Sequence, residues 1–392
     1  MTSPQRTDKK LHRDKPTLIS YAQAACFGWL IFGSGPAINF LREDLNLSRA
    51  TASVHSLGMT LGGIVAGLTG QRLIRQFGRG KLLRWASLVF AVGLVLFCFG
   101  LNIYFTLLGV TLSFIGGVTI VQSTAAFLST HHGHKAPAAI SELHGVAAGI
   151  GLLSPVLIGL FVTVGFSWRL ALVFGAVAAV AVEISRGRNL NSYGIPKITE
   201  ANNSHHDIAG KLPREFWWAC TAMICTSAVE YAMLLWSSDY LRTSGGFAKG
   251  ASAIALGCIV GAMAVGRLLG SALSRKWNAE KMYSTSLLLA LVGFVAFWSS
   301  TNSVLLVCAL TVTGLGIALH FPFGIERAIK VSAGRPDKAT ARIAVATALS
   351  SGIAPFSIGI LADQIGVRNA FLVVPMTLAV AIIVVVRNPV IR

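Results

Sequence analysis

Apolar residues run through this chain in blocks of roughly 20, long enough for a helix to cross about 30 Å of hydrocarbon. Twelve such blocks cover residues 17–40, 50–71, 82–101, 104–128, 137–164, 168–185, 216–241, 250–273, 282–299, 303–328, 340–362 and 368–387. The breaks between them carry turn residues and charge, as in LNLSRA, QFGRGK, HHGHKAP, NAEK and AGRPDK. No block alternates with the two-residue period of a membrane barrel strand. The pattern predicts an all-α membrane protein with twelve transmembrane helices.

A shift of about 200 residues lays one half of the chain on the other. Pro155-Val156-Leu157-Ile158-Gly159 in the fifth block matches Pro355-Phe356-Ser357-Ile358-Gly359 in the eleventh, and Leu61-Gly62-Gly63-Ile64-Val65 matches Leu256-Gly257-Cys258-Ile259-Val260. Each half holds six helices, an even number, so both copies enter from the same side and their axis runs along the membrane normal. The expected layout is a tail over 1–16, a six-helix bundle over 17–185, a polar linker over 186–215, a second, pseudo-symmetric six-helix bundle over 216–387 and a short tail over 388–392. Glycines such as Gly62, Gly63, Gly67 and Gly70 suit close helix packing in lipid.

Composition agrees with this reading: 54% of residues are hydrophobic and 12% charged, which leaves too little polar surface for a soluble domain of 392 residues. The net charge of +18 raises the question of nucleic acid, but the basic residues sort by membrane side. With the N-terminus inside, 27 of the 33 Lys and Arg residues are cytoplasmic, leaving only Arg42, Arg49, Arg169, Arg242, Lys249 and Arg368 outside. The positive-inside rule then puts both termini in the cytoplasm of a multi-pass protein of the cell (inner) membrane, with no nucleic-acid partner. The run from Thr17 is too long for a signal peptide, so no cleavable leader is expected. All six cysteines fall within predicted spans without metal-ligand spacing, so no disulfide, metal site or cofactor is expected. A monomer is expected.

The twelve spans, the central linker and the sequence GQRLIRQFGRGKLL between the second and third spans resemble the major facilitator superfamily. The acid usual in that loop is absent: Arg75 stands at its position, and Ser271 stands where an Asp is common in the second-half counterpart GRLLGSALSRKW. A latch that depends on this acid therefore lacks its key group. VEYAMLLWSSDYL, SELHGVAAGIGLLSP, and GIALHFP through IAPFSIGILAD are similar to the branch around fucose:proton symporters. The resemblance implies that spans one, four, seven and ten wall a central cavity.

The most informative single residue is Glu230, an acid far from either end of the seventh span, where an ionisable group defaults to a functional reading. Thr226, Glu230 and Ser237 fall within about 40° of one another on a helix, giving that span a polar stripe. No basic residue stands at comparable depth, so Glu230 is expected to load and release a proton as the cavity alternates. The competing reading is a packing lock that accepts hydrogen bonds from neighbouring helices.

His320 sits beside Pro322 in the tenth span, where it either binds substrate or protons or satisfies the backbone that the proline frees. Gln122 occupies the repeat-equivalent place, six residues after Gly116 as His320 follows Gly314. Trp29 and Trp236 offer flat faces to a ring-shaped solute but equally suit core packing. Asn39 and Tyr240, near the outer ends of spans one and seven, are candidates for an outer gate. Glu142, His144, Arg75, Arg79 and Arg267 are candidates for gating on the cytoplasmic side, with Glu142 and His144 facing cations such as Arg267. Asp239 and Asp363, near outer helix ends, are expected to be solvated.

These features point to a secondary active transporter whose partners are a small-molecule substrate, protons and the bilayer. With no Lys or Arg in the central part of spans one, four, seven or ten, a neutral or cationic solute fits better than an anion, and the branch resemblance favours a sugar-like metabolite moved by proton coupling through Glu230. A drug or metabolite exporter working by proton antiport is the alternative. A non-transporting solute sensor and an intramembrane enzyme with His320 as base are weaker readings. No GxxxxGK[ST] loop is present for direct ATP use.

Overall fold

The computed structural model describes residues 11–188, 193, 211–273 and 276–390, except for the side chains at 271, 272, 336 and 337. Most of the expected tails and linker, residues 1–10, 189–192, 194–210 and 391–392, lies outside the described residues, as does the side chain of Ser271.

The described residues form fifteen α-helices: α1 (Lys15–Asp44), α2 (Arg49–Phe77), α3 (Arg79–Phe99), α4 (Ile103–His132), α5 (Ala136–Gly151), α6 (Leu153–Thr163), α7 (Trp168–Arg186), α8 (Arg214–Thr243), α9 (Lys249–Leu273), α10 (Ala279–Ser299), α11 (Ser303–Ile317), α12 (His320–Lys330), α13 (Pro336–Ile365), α14 (Val367–Ala370) and α15 (Val373–Arg387). Among the described residues, eleven apolar stretches are long enough to cross a membrane, and the one over Ile103–Thr163, at 61 residues, is long enough to cross twice. That makes twelve crossings.

The fifth, tenth and twelfth spans are each broken, where the sequence predicts continuous blocks. The cause is common to all three. Pro155, Pro322 and Pro375 lie four residues after Gly151, Ala318 and Phe371, the positions at or beside which α5, α11 and α14 end. A proline supplies no N–H to the carbonyl four residues earlier, and its ring crowds that carbonyl. Pro36 and Pro355 sit inside helices that remain continuous.

Helices α1 and α8 are the central elements, buried along most of their length, and they pack against each other. The two halves also meet where α2 crosses α13 and where α6 crosses α9. Glycines allow these crossings. A Cβ on Gly159 of α6 would strike the backbone of Gly250 and Ile254 in α9, and one on Gly359 of α13 would strike Ser53 and the Arg49 carbonyl of α2. Gly159 and Gly359 are the matched ends of the two repeat segments, so the internal symmetry read from sequence reappears as a pair of equivalent contacts between the halves.

Both contacts lie on the side of the molecule away from the chain ends, called here the far side. On the opposite, terminal side the same helices part. Among the described residues the α2–α13 hydrogen bonds run no further toward that side than Thr60 to the Ala348 carbonyl (3.0 Å), and α9 packs closely on α6 but only lightly on α5. Gly145 and Gly149 of α5 have open space where a side chain would project. The molecule is closed on the far side and open toward the terminal side.

Candidate functional site

Helix α8 is surrounded by α1, α9, α12, α13 and α15, so an accessible residue in its middle faces an internal crevice and not lipid. Glu230 is such a residue, with 17% of its side chain exposed, and Tyr231 beside it is also accessible. The Glu230 carboxylate lies 3.6 Å from the Arg267 guanidinium of α9. This corrects the expectation that no cation reaches Glu230. Arg267 starts closer to the terminal end of its helix, but its long side chain extends inward along the crevice. At 3.6 Å the pair is an ion pair without a direct hydrogen bond, a separation that admits bridging water. Arg267 is 39% exposed and therefore open to solutes in the crevice.

His144, on α5 in the other half, is exposed and within electrostatic reach of Arg267. The crevice therefore brings Glu230 and Arg267 from one half near His144 from the other. Glu142 does not join them. Its carboxylate takes two hydrogen bonds from Arg13, at 2.9 and 2.6 Å, and one from Tyr21 at 3.2 Å, which ties the start of α1 to α5 within a single half.

The polar stripe on α8 divides. Thr226 donates to its own helix at the Met223 carbonyl (3.1 Å), and Ser237 turns to the Met233 sulfur (3.9 Å). Both are buried, leaving Glu230 as the stripe's accessible member. His320 is also buried, with its ring edge-on to Tyr283 at 6.5 Å, and the Ser286 backbone faces it without a well-formed hydrogen bond. Gln122 is exposed on α4 beside Gly67 and Gly70 of α2. No hydrogen bond or ring contact among the described residues joins Gln122 to His320, so the repeat-equivalent pair does not form a direct contact.

Both tryptophans use their indole N–H groups to hold neighbouring helices. Trp29 donates to the Ala171 carbonyl of α7 (3.2 Å) and leans on Phe174, while Trp236 donates to the Pro355 carbonyl of α13 (2.8 Å) and is fully buried. Tyr240 likewise donates within its own half, to the Trp298 carbonyl (3.0 Å), and packs against Phe297 and Phe371. Asn39 does bridge the halves, donating to the Leu235 carbonyl (3.2 Å) and Ser238 Oγ (2.8 Å) of α8. Arg75 is exposed, and Arg79 is buried with its guanidinium on the Tyr193 carbonyl (3.1 Å), where it anchors the linker.

The far-side closure is ionic as well as steric, and it corrects the expectation that Asp239 is solvated, while Asp363 is exposed as expected. The Asp239 side chain is 0% exposed and takes Arg42 at 3.0 Å and Arg49 at 2.6 Å, both from the opposite half. Asp363 of α13 accepts the backbone N–H groups of Arg49 (3.0 Å) and Ala50 (2.8 Å), capping the N-terminus of α2 across the same boundary. Glu43 pairs with Arg242 and with Lys249 (2.7 Å), again between halves. Arg169 pairs with Asp44 at 2.6 Å, and Arg368 stacks over Trp298. Thus each of the six cations that sequence assigns to this side has a partner in the protein. Sequence reasoning found the cations but not their partners.

The profile of the Major Facilitator Superfamily matches residues 21–282 and 218–390. No curated protein matches the sequence. Among solved structures, the xylose transporter XylE from E. coli, in a partially occluded inward-open conformation, aligns with a TM-score of 0.74 at 12% identity, covering 96% of this chain and 99% of that one. A D-xylose-proton symporter aligns with a TM-score of 0.74 at 14% identity over 95% and 96% of the two chains. The peptide transporter POT in complex with sulfate aligns with a TM-score of 0.72 at 12% identity over 95% and 93%.

Proposed function

Since the chain belongs to the major facilitator superfamily, and is by that membership a multi-pass membrane transporter working by alternating access rather than an intramembrane enzyme, we propose that it is a proton-coupled carrier of a small polar organic solute, with Glu230 as the coupling group. The observation that carries this reading is the Glu230–Arg267 pair in the crevice. The carboxylate is accessible, ion-paired at 3.6 Å and free of direct hydrogen bonds, so a proton can compete with Arg267 for it. Protonation discharges the pair and releases the guanidinium, and deprotonation restores it. Charge at the centre of the crevice then changes with the side to which it is open.

The excess of Lys and Arg on the terminal side makes that side cytoplasmic in this proposal, so the conformation described is inward-open, in the cell (inner) membrane. A sugar-like neutral solute is the preferred substrate, on the resemblance of VEYAMLLWSSDYL and its companion segments to fucose:proton symporters and on a D-xylose-proton symporter among the structures that share the fold. A second reading follows from the exposed Arg267. Once Glu230 is protonated, this cation is available to a solute carboxylate.

Reconstitution into proteoliposomes under an imposed pH gradient, with a panel of radiolabelled neutral sugars and small carboxylates, tests both points. Glu230→Gln is expected to abolish gradient-driven accumulation while sparing exchange of labelled for unlabelled solute. Accumulation that survives Glu230→Gln at the parent level defeats the coupling assignment. Accumulation of carboxylates alone selects the second substrate class.

A further inference from the structure

A group of side chains outside the transport pathway has the composition and spacing of a metal site. Asp14, His131 and His132 place one ligand atom each within 4.8 Å of the others on the terminal side of the N-terminal half. We propose that they bind a divalent transition-metal ion of the zinc type, joining the start of α1 to the end of α4. Two imidazoles and a carboxylate are the donor set such an ion prefers, whereas magnesium and calcium take oxygen ligands.

The surroundings hold each ligand in place. Asp14 caps α1, and its Oδ1 accepts from the Thr17 backbone N–H (3.2 Å) and hydroxyl (2.6 Å), leaving Oδ2 turned to His131 Nε2 at 2.7 Å. The His131 ring stacks on Phe127 at 4.8 Å, and Phe127 rests on the buried Tyr193. His132 Nε2 meets the Thr17 hydroxyl at 2.9 Å. That hydroxyl gives its one proton to Asp14, so His132 Nε2 is the donor there. The neighbouring Arg13 charge is engaged by Glu142. Outer partners that orient metal ligands in this way are the usual support of such sites.

Metal binding replaces the protons on the two Nε2 atoms. In a neutral ring the displaced proton is taken up at Nδ1 by exchange with solvent, and in a doubly protonated ring Nδ1 keeps its own proton while the Nε2 proton leaves to solvent. Ligand atoms around a tetrahedral zinc ion lie roughly 3.3 Å apart, so the Asp14–His131 separation opens by about half an ångström. Water fills the remaining position on the exposed side. The cysteine spacing that argued against a metal site could not reveal this one, because its ligands are separated by more than a hundred residues.

Isothermal titration of the full chain in detergent, with any affinity tag removed, is the direct test. Zn2+ is expected to bind at one site. Asp14→Asn, which keeps a side-chain oxygen to cap α1, and the double variant His131→Gln/His132→Gln are each expected to weaken binding at least tenfold. Co2+ is expected to give visible absorption bands that the double variant lacks, and Mg2+ is expected not to compete. Absence of zinc binding to the parent overturns the proposal. So does parent-level zinc affinity in either variant, each checked for folding by size-exclusion profile, or displacement of zinc by equimolar Mg2+.

Discussion

Replacing Asp239 by Asn should open the far side. In the closed conformation its side chain is fully buried and holds Arg42 at 3.0 Å and Arg49 at 2.6 Å, guanidiniums that are themselves only 14% and 20% exposed. Removing one partner from a buried pair costs about 3–5 kcal/mol, because the remaining charge is left uncompensated. Opening hydrates both arginines, so the closed state bears the penalty and the open state largely escapes it. Allowing about 1–2 kcal/mol for residual water access when closed, the net shift toward opening is about 2–3 kcal/mol, roughly 30- to 150-fold in the equilibrium. Ser56 reports on it, since its hydroxyl is buried against the Gly352 carbonyl at 2.8 Å where α2 crosses α13. In a background without native cysteines, Ser56→Cys should react slowly with a membrane-impermeant thiol reagent from the far side. Adding Asp239→Asn should accelerate the reaction at least tenfold, and Asp239→Glu should do so less. An unchanged labelling rate would refute the ionic lock.

Gly159→Val should also favour far-side opening, because its side chain would enter the backbone of Gly250, and the same labelling assay should show faster Ser56→Cys modification. Trp236→Phe leaves the Pro355 carbonyl without its donor and should lower thermal stability in detergent by about 1–2 kcal/mol, seen as an earlier unfolding transition without loss of proton coupling. Burial alone would raise the ionisation range of Asp14, but hydrogen bonds from Thr17 and His131 outweigh it and hold the carboxyl below its ordinary range. Its contribution to docking the start of α1 is therefore complete above about pH 4 and is lost as pH falls through the lowered value. Hydrogen exchange of residues 14–20 should be slow at pH 5 and accelerate, after correction for intrinsic rates, under stronger acid.

The spans were legible because hydrocarbon requires about 20 apolar residues per crossing wherever the chain crosses. Their breaks were not, although every proline was visible. Pro155 and Pro355 occupy matched places in the repeat, yet only the first interrupts its helix. The repeat itself carried over into space, since Gly159 and Gly359 make matching contacts. At the site, Glu230 stood out as a lone acid in an apolar run. Arg267 did not register as its partner because depth was counted along the backbone, and a long side chain reaches past its own depth. Asp239 shows a different limit. Its partner Arg49 is 190 residues away in sequence, and no local pattern announces a pair formed only when two bundles close.

The proline interruptions give the crossings and spans of the two bundles different mechanics. On the far side, α2 and α13 meet as unbroken rods, so that crossing can part only as slabs moving whole, whereas α9 meets α6, the short piece beyond the Pro155 break. On the terminal side, α5 and α12 are short pieces set off by Pro155 and Pro322, one in each bundle. Each can flex at its own knuckle while the rest of the span stays fixed. Stiffening those knuckles with Pro155→Ala or Pro322→Ala should slow the transport cycle, read as slower solute exchange in proteoliposomes.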